Sequence, residues 1–171
     1  MRVLLDTNII IHRENKKVTN YSIGHLFRWL DKMRCTKIVH PYSIREIQKY
    51  KDSQTQDTIA VKLDAYETLK TIKEPDEAFK QRLNFPEKSE NDRIDNYLLF
   101  EVYSNRVDVL VTEDRKLRNK AQRLGLGNRV FSINSFIGFA TAENPDLIEY
   151  KMLAVEKEYF GNIDINDSFF D

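Results

Sequence analysis

The sequence contains few of the residues that usually build a cross-linked or zinc-bound domain. Its 171 residues include one cysteine and three histidines. Cys35 has no second cysteine to pair with, so an internal disulfide is excluded, and the Cys and His ligands of a structural zinc site are too few. We expect Cys35 to pack in or near the core.

Long hydrophobic runs are also missing. No apolar stretch approaches the roughly 18 to 20 residues that cross a bilayer. The first residues do not combine a basic region with a signal-like apolar stretch. These absences predict a protein without a membrane segment, and we expect a cytoplasmic location.

Neither sign of charge is in excess. The chain has 27 Lys and Arg residues against 27 Asp and Glu residues, so its net charge is zero. The overall basic surface of many nucleic-acid binders is therefore absent. Only five Gly and four Pro occur, and 41% of the residues are hydrophobic, which is typical of a globular protein. This length predicts one domain with a sizeable core.

Short apolar runs alternate with segments of helical periodicity along the chain. Strands are predicted at Val3–Leu5, Lys37–Pro41, Val107–Thr112 and Arg129–Ile133. Helices are predicted at Ser22–Arg34, Tyr42–Tyr50, Gln54–Ile72, Asp76–Leu83, Glu90–Ser104, Arg115–Leu124 and Ser135–Ala142, and the polar stretch Arg13–Lys17 is typical of a surface loop. The alternation implies right-handed crossovers and a mainly parallel sheet with helices on both faces, a three-layer α/β/α fold.

Two acids follow predicted strands directly. Asp6 ends the first strand, and Asp114 stands just after the third. Because the carboxyl ends of parallel strands lie along one edge of a sheet, where α/β proteins bind ligands, these acids are candidates to face each other. The alternative is that Asp6 and Asn8 only turn the chain or cap the next element.

Three further acids lie near the starts of helices that lead away from the same edge. Glu46 follows the second strand, and Asp92 and Asp95 share one helix face. Each has a structural alternative: Ser43 to Glu46 fits a capping box, and acids near the start of a helix, after a residue such as Ser89, suit the helix dipole.

The acids taken together predict a metal site. Several carboxylates at one edge would repel each other unless a cation compensated them. All-oxygen ligands without Cys or His favour Mg²⁺ or Mn²⁺. Such ions, used singly with a transient second or as a pair roughly 4 Å apart, are the usual machinery for phosphodiester hydrolysis.

Four segments resemble, in order, the four acidic motifs of PIN-domain ribonucleases: Leu4–Asn8, His40–Glu46, Asn91–Asp95 and Leu110–Asp114. The similarity covers roughly Arg2 to Phe136. It implies a PIN-like, Rossmann-like fold with a Mg²⁺ or Mn²⁺ site that cleaves RNA by water attack, and we expect endonucleolytic cleavage.

The resemblance carries over the catalytic, metal-binding acids Asp6, Glu46, Asp95 and Asp114. Asp92 adjoins the third of them, and whether Asp92 or Asp95 is that third acid stays open. Asp95 is favoured because it begins the regular apolar stripe of its helix. Asn8 and Thr112 are expected to support the first and last acids by orienting carboxylate or water.

Contact with RNA has to come from local rather than overall charge. The helix after Asp114 carries cations without an acid: Arg115, Lys116, Arg118, Lys120 and Arg123. They could hold phosphates outside the cut site. The alternative is an ordinary solvated face.

The end of the chain is not needed for a PIN domain. We assign residues 1–143 to the nuclease-like domain and residues 144–171 to a C-terminal helix and acidic tail. This tail is similar to the link by which some microbial PIN domains join an acetyltransferase-like domain. A downstream domain, a protein partner or a second copy of the chain is therefore expected as a binding partner beside RNA.

Two rival functions remain open. One is a catalytically silent module that keeps the fold to bind RNA, an antitoxin-like partner or a further domain. The other is a phosphotransfer domain of the haloacid-dehalogenase or receiver type. The first phosphotransfer type needs Asp-x-Asp after the first strand, and Asn8 stands at the second of these positions.

Overall fold

Val3, Leu4 and Leu5 are fully buried and form the middle of a parallel sheet. The computed structural model describes residues 1–14, 21–48, 63 and 65–148. Within these ranges the sheet has five strands: β1 Arg2–Leu5, β2 Thr36–Val39, β3 Glu67–Thr68, β4 Val109–Val111 and β5 Val130–Phe131. All neighbours pair in parallel, in the order β3-β2-β1-β4-β5.

Helices cover both faces of this sheet. Those described are α1 Thr7–Glu14, α2 Tyr21–Lys32, α3 Pro41–Gln48, α4 Glu77–Leu83, α5 Glu90–Tyr103, α6 Arg115–Arg123 and α7 Ile133–Glu143, followed by a 3₁₀ turn at Pro145–Leu147. Val3 and Leu5 pack into a core with α1, α2 and α7, whereas Leu4 faces α5 and α6 on the other side. This alternation confirms the predicted three-layer α/β/α fold with a parallel sheet.

The strand order reverses next to β1. The chain builds outward through β2 and β3 on one side, and then returns to add β4 and β5 on the other. Crossovers therefore leave the sheet in opposite directions from β1 and β4, which opens a crevice at their carboxyl ends. The acids that follow these two strands lie at that crevice.

The helix predicted at Gln54–Ile72 does not continue to its predicted end. Residues 54–62 lie outside the described residues, but Glu67–Thr68 is a strand that pairs with β2. Tyr66 and Leu69 are both buried, on opposite faces of the sheet. A spacing of three places two residues on one face of a helix but on opposite faces of a strand, and both faces of this sheet are covered.

The first predicted loop is partly helical. Arg13 and Glu14 form the last residues of α1, and residues 15–17 lie outside the described residues. The helix begins as soon as β1 ends, since the Asp6 carbonyl accepts the N–H groups of Ile9 and Ile10.

The C-terminal prediction falls mostly outside the described residues. At the start of the predicted C-terminal helix, Pro145–Leu147 is a 3₁₀ turn, and residues 149–171 lie outside the described residues. The division into residues 1–143 and 144–171 therefore stays a prediction.

Cys35 is buried, as predicted, and burial raises the pKa of its thiol. None of the helices in the described ranges is both long and apolar enough to cross a membrane.

Candidate active site

Asp6 is a buried carboxylate at the end of β1. Its Oδ1 accepts the Thr7 N–H at 2.7 Å, and its Oδ2 accepts the Asn8 amide at 2.9 Å and the Thr112 hydroxyl at 2.5 Å. Burial nevertheless raises the pKa of Asp6 from 3.8 to about 6, and the neighbouring charges of Asp95 and Glu46 act in the same direction. The side chain is thus held firmly in a place that disfavours its charge.

Thr112 connects this acid to the one after β4. It is fully buried, and its hydroxyl donates to Asp6 while accepting the Asp114 N–H at 3.0 Å. Asp114 is the N-cap of α6, with Oδ1 accepting the N–H groups of Lys116 at 2.6 Å and Leu117 at 3.3 Å. One hydroxyl therefore fixes the relative position of the two acids.

Glu46 reaches the same place from α3. The Thr7 hydroxyl donates to Glu46 Oε2 at 2.6 Å. The capping box considered for Ser43 and Glu46 is not formed, because α3 begins earlier, at Pro41, and Glu46 is its sixth residue. The imidazole of His40 accepts the Tyr42 N–H at 3.1 Å and caps this helix instead.

Asp92 has a structural position at the start of α5. Its N–H donates to the N-cap Ser89 hydroxyl at 3.1 Å, and its Oδ2 accepts that hydroxyl at 3.0 Å and the Lys88 N–H at 3.2 Å. The pKa of Asp92 is lowered mainly by a hydrogen bond from the Lys116 ammonium to Oδ1, with the Ser89 and Lys88 hydrogen bonds acting in the same direction. Ser89 is thus the N-cap of α5, and Asp92 takes part in this cap.

Asp95 lies one turn further along α5. Burial raises its pKa, while an ion pair with Lys120 opposes that rise. The Lys120 ammonium is 3.0 Å from Asp95 Oδ2 and 3.3 Å from Asp92 Oδ1, and its side chain is only 1% exposed. Lys120 therefore fits neither the predicted contact with phosphates nor the alternative of a solvated face, because it is buried against two carboxylates.

All five predicted acids line a single cleft of about 490 Å³. Its lining residues are Asp6, Thr7, Asn8, Ile11, Glu46, Ser89, Asn91, Asp92, Ile94, Asp95, Leu98, Asp114 and Lys116. The cleft lies at the carboxyl ends of β1 and β4, where the strand order reverses. Thr7 connects Asp6 and Glu46, because its N–H donates to Asp6 and its hydroxyl donates to Glu46. The sequence pattern gives Thr7 no role, although its position between Asp6 and Asn8 could have indicated one.

The oxygen atoms that line the cleft are of the chemical type that a hard divalent cation binds. They belong to carboxylates and to the amide of Asn8, whose Oδ1 is buried without a hydrogen-bond partner among the described residues. In the described part of the chain, however, no group of three His, Cys, Asp or Glu side chains is placed so that it could hold an ion. Since Mg²⁺ usually keeps several waters and binds only one or two carboxylates plus substrate oxygens, the donor set fits such an ion without forming a closed cage.

The other polar face of α6 lines a second cleft, of about 440 Å³. Its lining residues are Arg115, Arg118, Asn119, Gln122, Gly127, Val130, Phe131 and Ser135. Residues 115, 118, 119 and 122 follow helical spacing, so one face of α6 serves this cleft while Lys116 faces the acids. Arg118 also donates to the Thr112 carbonyl at 2.7 Å, which ties this face to the end of β4.

No protein-family model matches the chain, and no curated protein matches it. Among solved structures, the chain is similar to a PilT N-terminus domain protein from the hyperthermophilic archaeon Sulfolobus solfataricus P2, with 13% sequence identity, 82% of this chain and 93% of that chain covered, and a TM-score of 0.49. At this identity no residue role or activity is carried over from that protein.

Proposed function

We propose that this chain is a metal-dependent ribonuclease of the PIN type that hydrolyses RNA phosphodiester bonds with Mg²⁺ or Mn²⁺. One observation carries the proposal: carboxylates from four separate parts of the fold line one cleft at the reversal of the strand order. They come from the end of β1, from α3, from α5 and from the start of α6. A purely structural set of acids has no reason to converge in this way.

The residues of the cleft would have two roles, metal binding by the acids and orientation of those acids by hydroxyl groups. Asp6, Glu46 and Asp114 are the acids that would hold the ion, directly or through the waters that it keeps, with Asp95 beside them. When bound, the ion supplies positive charge to the phosphate and lowers the pKa of the attacking water. The Thr112 and Thr7 hydroxyls keep the carboxylates oriented, and the buried Asn8 Oδ1 offers a further oxygen.

The second cleft supports RNA as the substrate. Arg115 and Arg118 can contact phosphates there, and the partly buried ring of Phe131 offers a surface for a base. Both clefts border α6, so an RNA strand that crosses the start of this helix would place one phosphate near Asp114 and another near Arg115. We therefore propose single-stranded RNA cut internally.

Cleavage of end-labelled single-stranded RNA, with Mg²⁺ or Mn²⁺ and with EDTA, tests the proposal. The wild-type chain should cut only with the ion. Asp6→Asn should lower the rate by at least about 100-fold because it removes a central ligand charge. Asp95→Asn should also lower it, whereas Asp92→Asn should mainly lower stability.

Glu77→Gln is the matched control, since Glu77 is an exposed acid on α4 that is paired only with Lys80 in the described contacts. Its rate should equal that of the wild type. If Asp6→Asn cut RNA as fast as the wild type, the assignment of Asp6 as a metal ligand would be contradicted.

A catalytically silent RNA-binding module is the second candidate. Two observations favour it: lysines neutralise Asp92 and Asp95, and the described residues include no group of three acids already placed for an ion. Binding of the same RNA by fluorescence anisotropy, without cleavage at any Mn²⁺ concentration, would support this alternative.

We also propose that residues 1–143 are the catalytic unit and that residues 144–171 join it to a further domain or a protein partner. This proposal rests on the sequence resemblance alone. Limited proteolysis tests it: a protected fragment that ends near residue 143 and still cuts RNA would support this boundary.

A further inference from the structure

Lys120 is a cation in the interior of a predominantly acidic site. It lies three residues after Leu117 and four before Leu124, so helical spacing puts it on the buried stripe of α6. Its ammonium contacts Asp95 at 3.0 Å and Asp92 at 3.3 Å. The ring of Phe85 covers it, with the ammonium 5.2 Å from the ring centre.

Such a buried ammonium is stable only with carboxylate partners, because burial alone disfavours its charge. Asp92 and Asp95 provide two. Lys116 adds a second ammonium on Asp92 from the more exposed side of the cleft. The α5 side of the acid cleft therefore carries two fixed positive charges beside its two acids.

The charges of Lys120 and Lys116 limit how many divalent ions the acid cleft can bind. Lys120 already contacts one of the two carboxylate oxygens of Asp95, Oδ2. A divalent ion bound through Asp95 would stand next to this ammonium, and the two like charges would repel each other, the more so because the Lys120 side chain is buried. The Asp6 side has no such neighbour: its described hydrogen-bond donors are the neutral groups of Thr7, Asn8 and Thr112.

We propose that Lys120, assisted by Lys116, supplies the positive charge that a second metal ion would otherwise supply beside Asp95. The site then takes one divalent ion, on the side of Asp6, Glu46 and Asp114. This inference rests on the proposed function. Lys120 is a positioning residue here, because it acts through Asp92 and Asp95.

Counting bound Mn²⁺ on the full chain without RNA tests the inference. Free Mn²⁺ is followed by electron paramagnetic resonance during a titration, and isothermal calorimetry provides a second count. The wild type should bind one ion. Lys120→Met removes the charge but keeps a side chain of similar length, and it should bind two.

Two matched variants separate charge from other effects. Lys120→Arg keeps the cation and should bind one ion. Arg115→Gln loses an exposed cation from the other polar face of the same helix and should also bind one. A rise to two ions in Arg115→Gln would show that overall charge, rather than Lys120, sets the number, and would overturn the inference.

Lys120→Met removes the described ion-pair partner of the partly buried Asp95 and one of the two partners of the buried Asp92, so we expect it to lower the stability of the fold. The wild-type count does not depend on that variant. A thermal melt gives a further readout: Mn²⁺ should raise the midpoint more in Lys120→Met than in the wild type, because a second ion replaces the lost charge. A purely structural Lys120 predicts a lower midpoint and an unchanged response to Mn²⁺.

The outcomes separate the two proposals. Two ions on the wild type, or one ion on folded Lys120→Met, would overturn the inference and leave the ribonuclease assignment intact. No ion on either protein would overturn the metal assignment, and the inference with it.

Discussion

Asp6 is a carboxylate whose ionisation opposes folding. Three hydrogen-bond donors hold it, yet burial raises its pKa to about 6. In the absence of a cation the folded chain therefore binds a proton at Asp6 more tightly than the unfolded chain does. A group of this kind stabilises the fold fully below its unfolded pKa and loses that contribution as the pH rises through the folded pKa.

The pH dependence of stability should show this directly. A pKa rise from 3.8 to about 6 corresponds to about 2 to 3 kcal/mol. Between pH 4 and pH 7 in EDTA, the wild type should lose about that much unfolding free energy relative to Asp6→Asn. Urea unfolding at both pH values measures it, and parallel changes in the two proteins would contradict the assignment.

Lys120 shows what sequence reasoning at the level of single residues can miss. The basic stretch after Asp114 suggests one solvated, phosphate-binding face, because charge alone does not show which way a residue points. Spacing does contain the signal, since Lys120 shares the helical stripe of Leu117 and Leu124. What the sequence lacks is the partner: only the packing of α5 against α6 brings Asp92 and Asp95 to the ammonium.

At the scale of elements, α6 contributes to the site through its N-cap residue. Asp114 both caps this helix and lines the acid cleft. A cap needs only an acceptor oxygen, whereas cation binding needs the negative charge. The two roles can therefore be separated by substitution.

Asp114→Asn should keep the cap and lose the charge. We expect its stability to stay within a few tenths of a kcal/mol of the wild type, while Asp114→Ala should lose about 1 kcal/mol. Both variants should lose cleavage to a similar extent. Urea unfolding and the RNA assay measure the two effects, and wild-type cleavage by Asp114→Asn would reduce Asp114 to a cap.

Elements in which one periodicity dominates can be predicted from the sequence, whereas very short elements leave the pattern ambiguous. The buried run Val3–Leu5 is followed at once by polar residues, which made β1 and its ligand edge easy to place. The pattern does not predict β3, because this strand has only two residues and Tyr66 and Leu69 also fit a helix. The helix predicted from Tyr42 begins at Pro41, but the capping box at Ser43 does not form, and the imidazole cap at His40 is not part of the usual Ser, Thr, Asp and Asn signature.

On the scale of the whole molecule, zero net charge conceals a local separation. One polar face of α6 borders the acid cleft, and the other carries Arg115 and Arg118 along the second cleft. RNA should therefore meet few cations. This arrangement predicts binding with a weak dependence on salt, unlike that of a generally basic protein.

Each phosphate contact on single-stranded RNA contributes about −0.7 to the slope of log K against log salt concentration. The double variant Arg115→Gln and Arg118→Gln should thus reduce the slope by about 1.4. Fluorescence anisotropy in EDTA at several salt concentrations measures it. Lys80→Gln, on α4, is the control and should leave the slope unchanged; an equal reduction there would point to non-specific attraction.

The architecture as a whole followed from the alternation of apolar runs with helical segments, because parallel strands joined by helices allow few arrangements. The order of the strands cannot be predicted in this way, because nothing in the sequence pattern shows on which side of β1 the chain returns. That return is what creates the crevice between β1 and β4. The convergence of the acids is therefore a property of topology that spacing alone could only suggest.

Both edges of the described sheet are unusually short. The outer strands β3 and β5 have two residues each. A long open edge invites another chain to add a strand through backbone hydrogen bonds, and proteins often shorten their edges to avoid this. A protein partner or a second copy that binds this part of the molecule would therefore pack on its helical layers rather than extend its sheet.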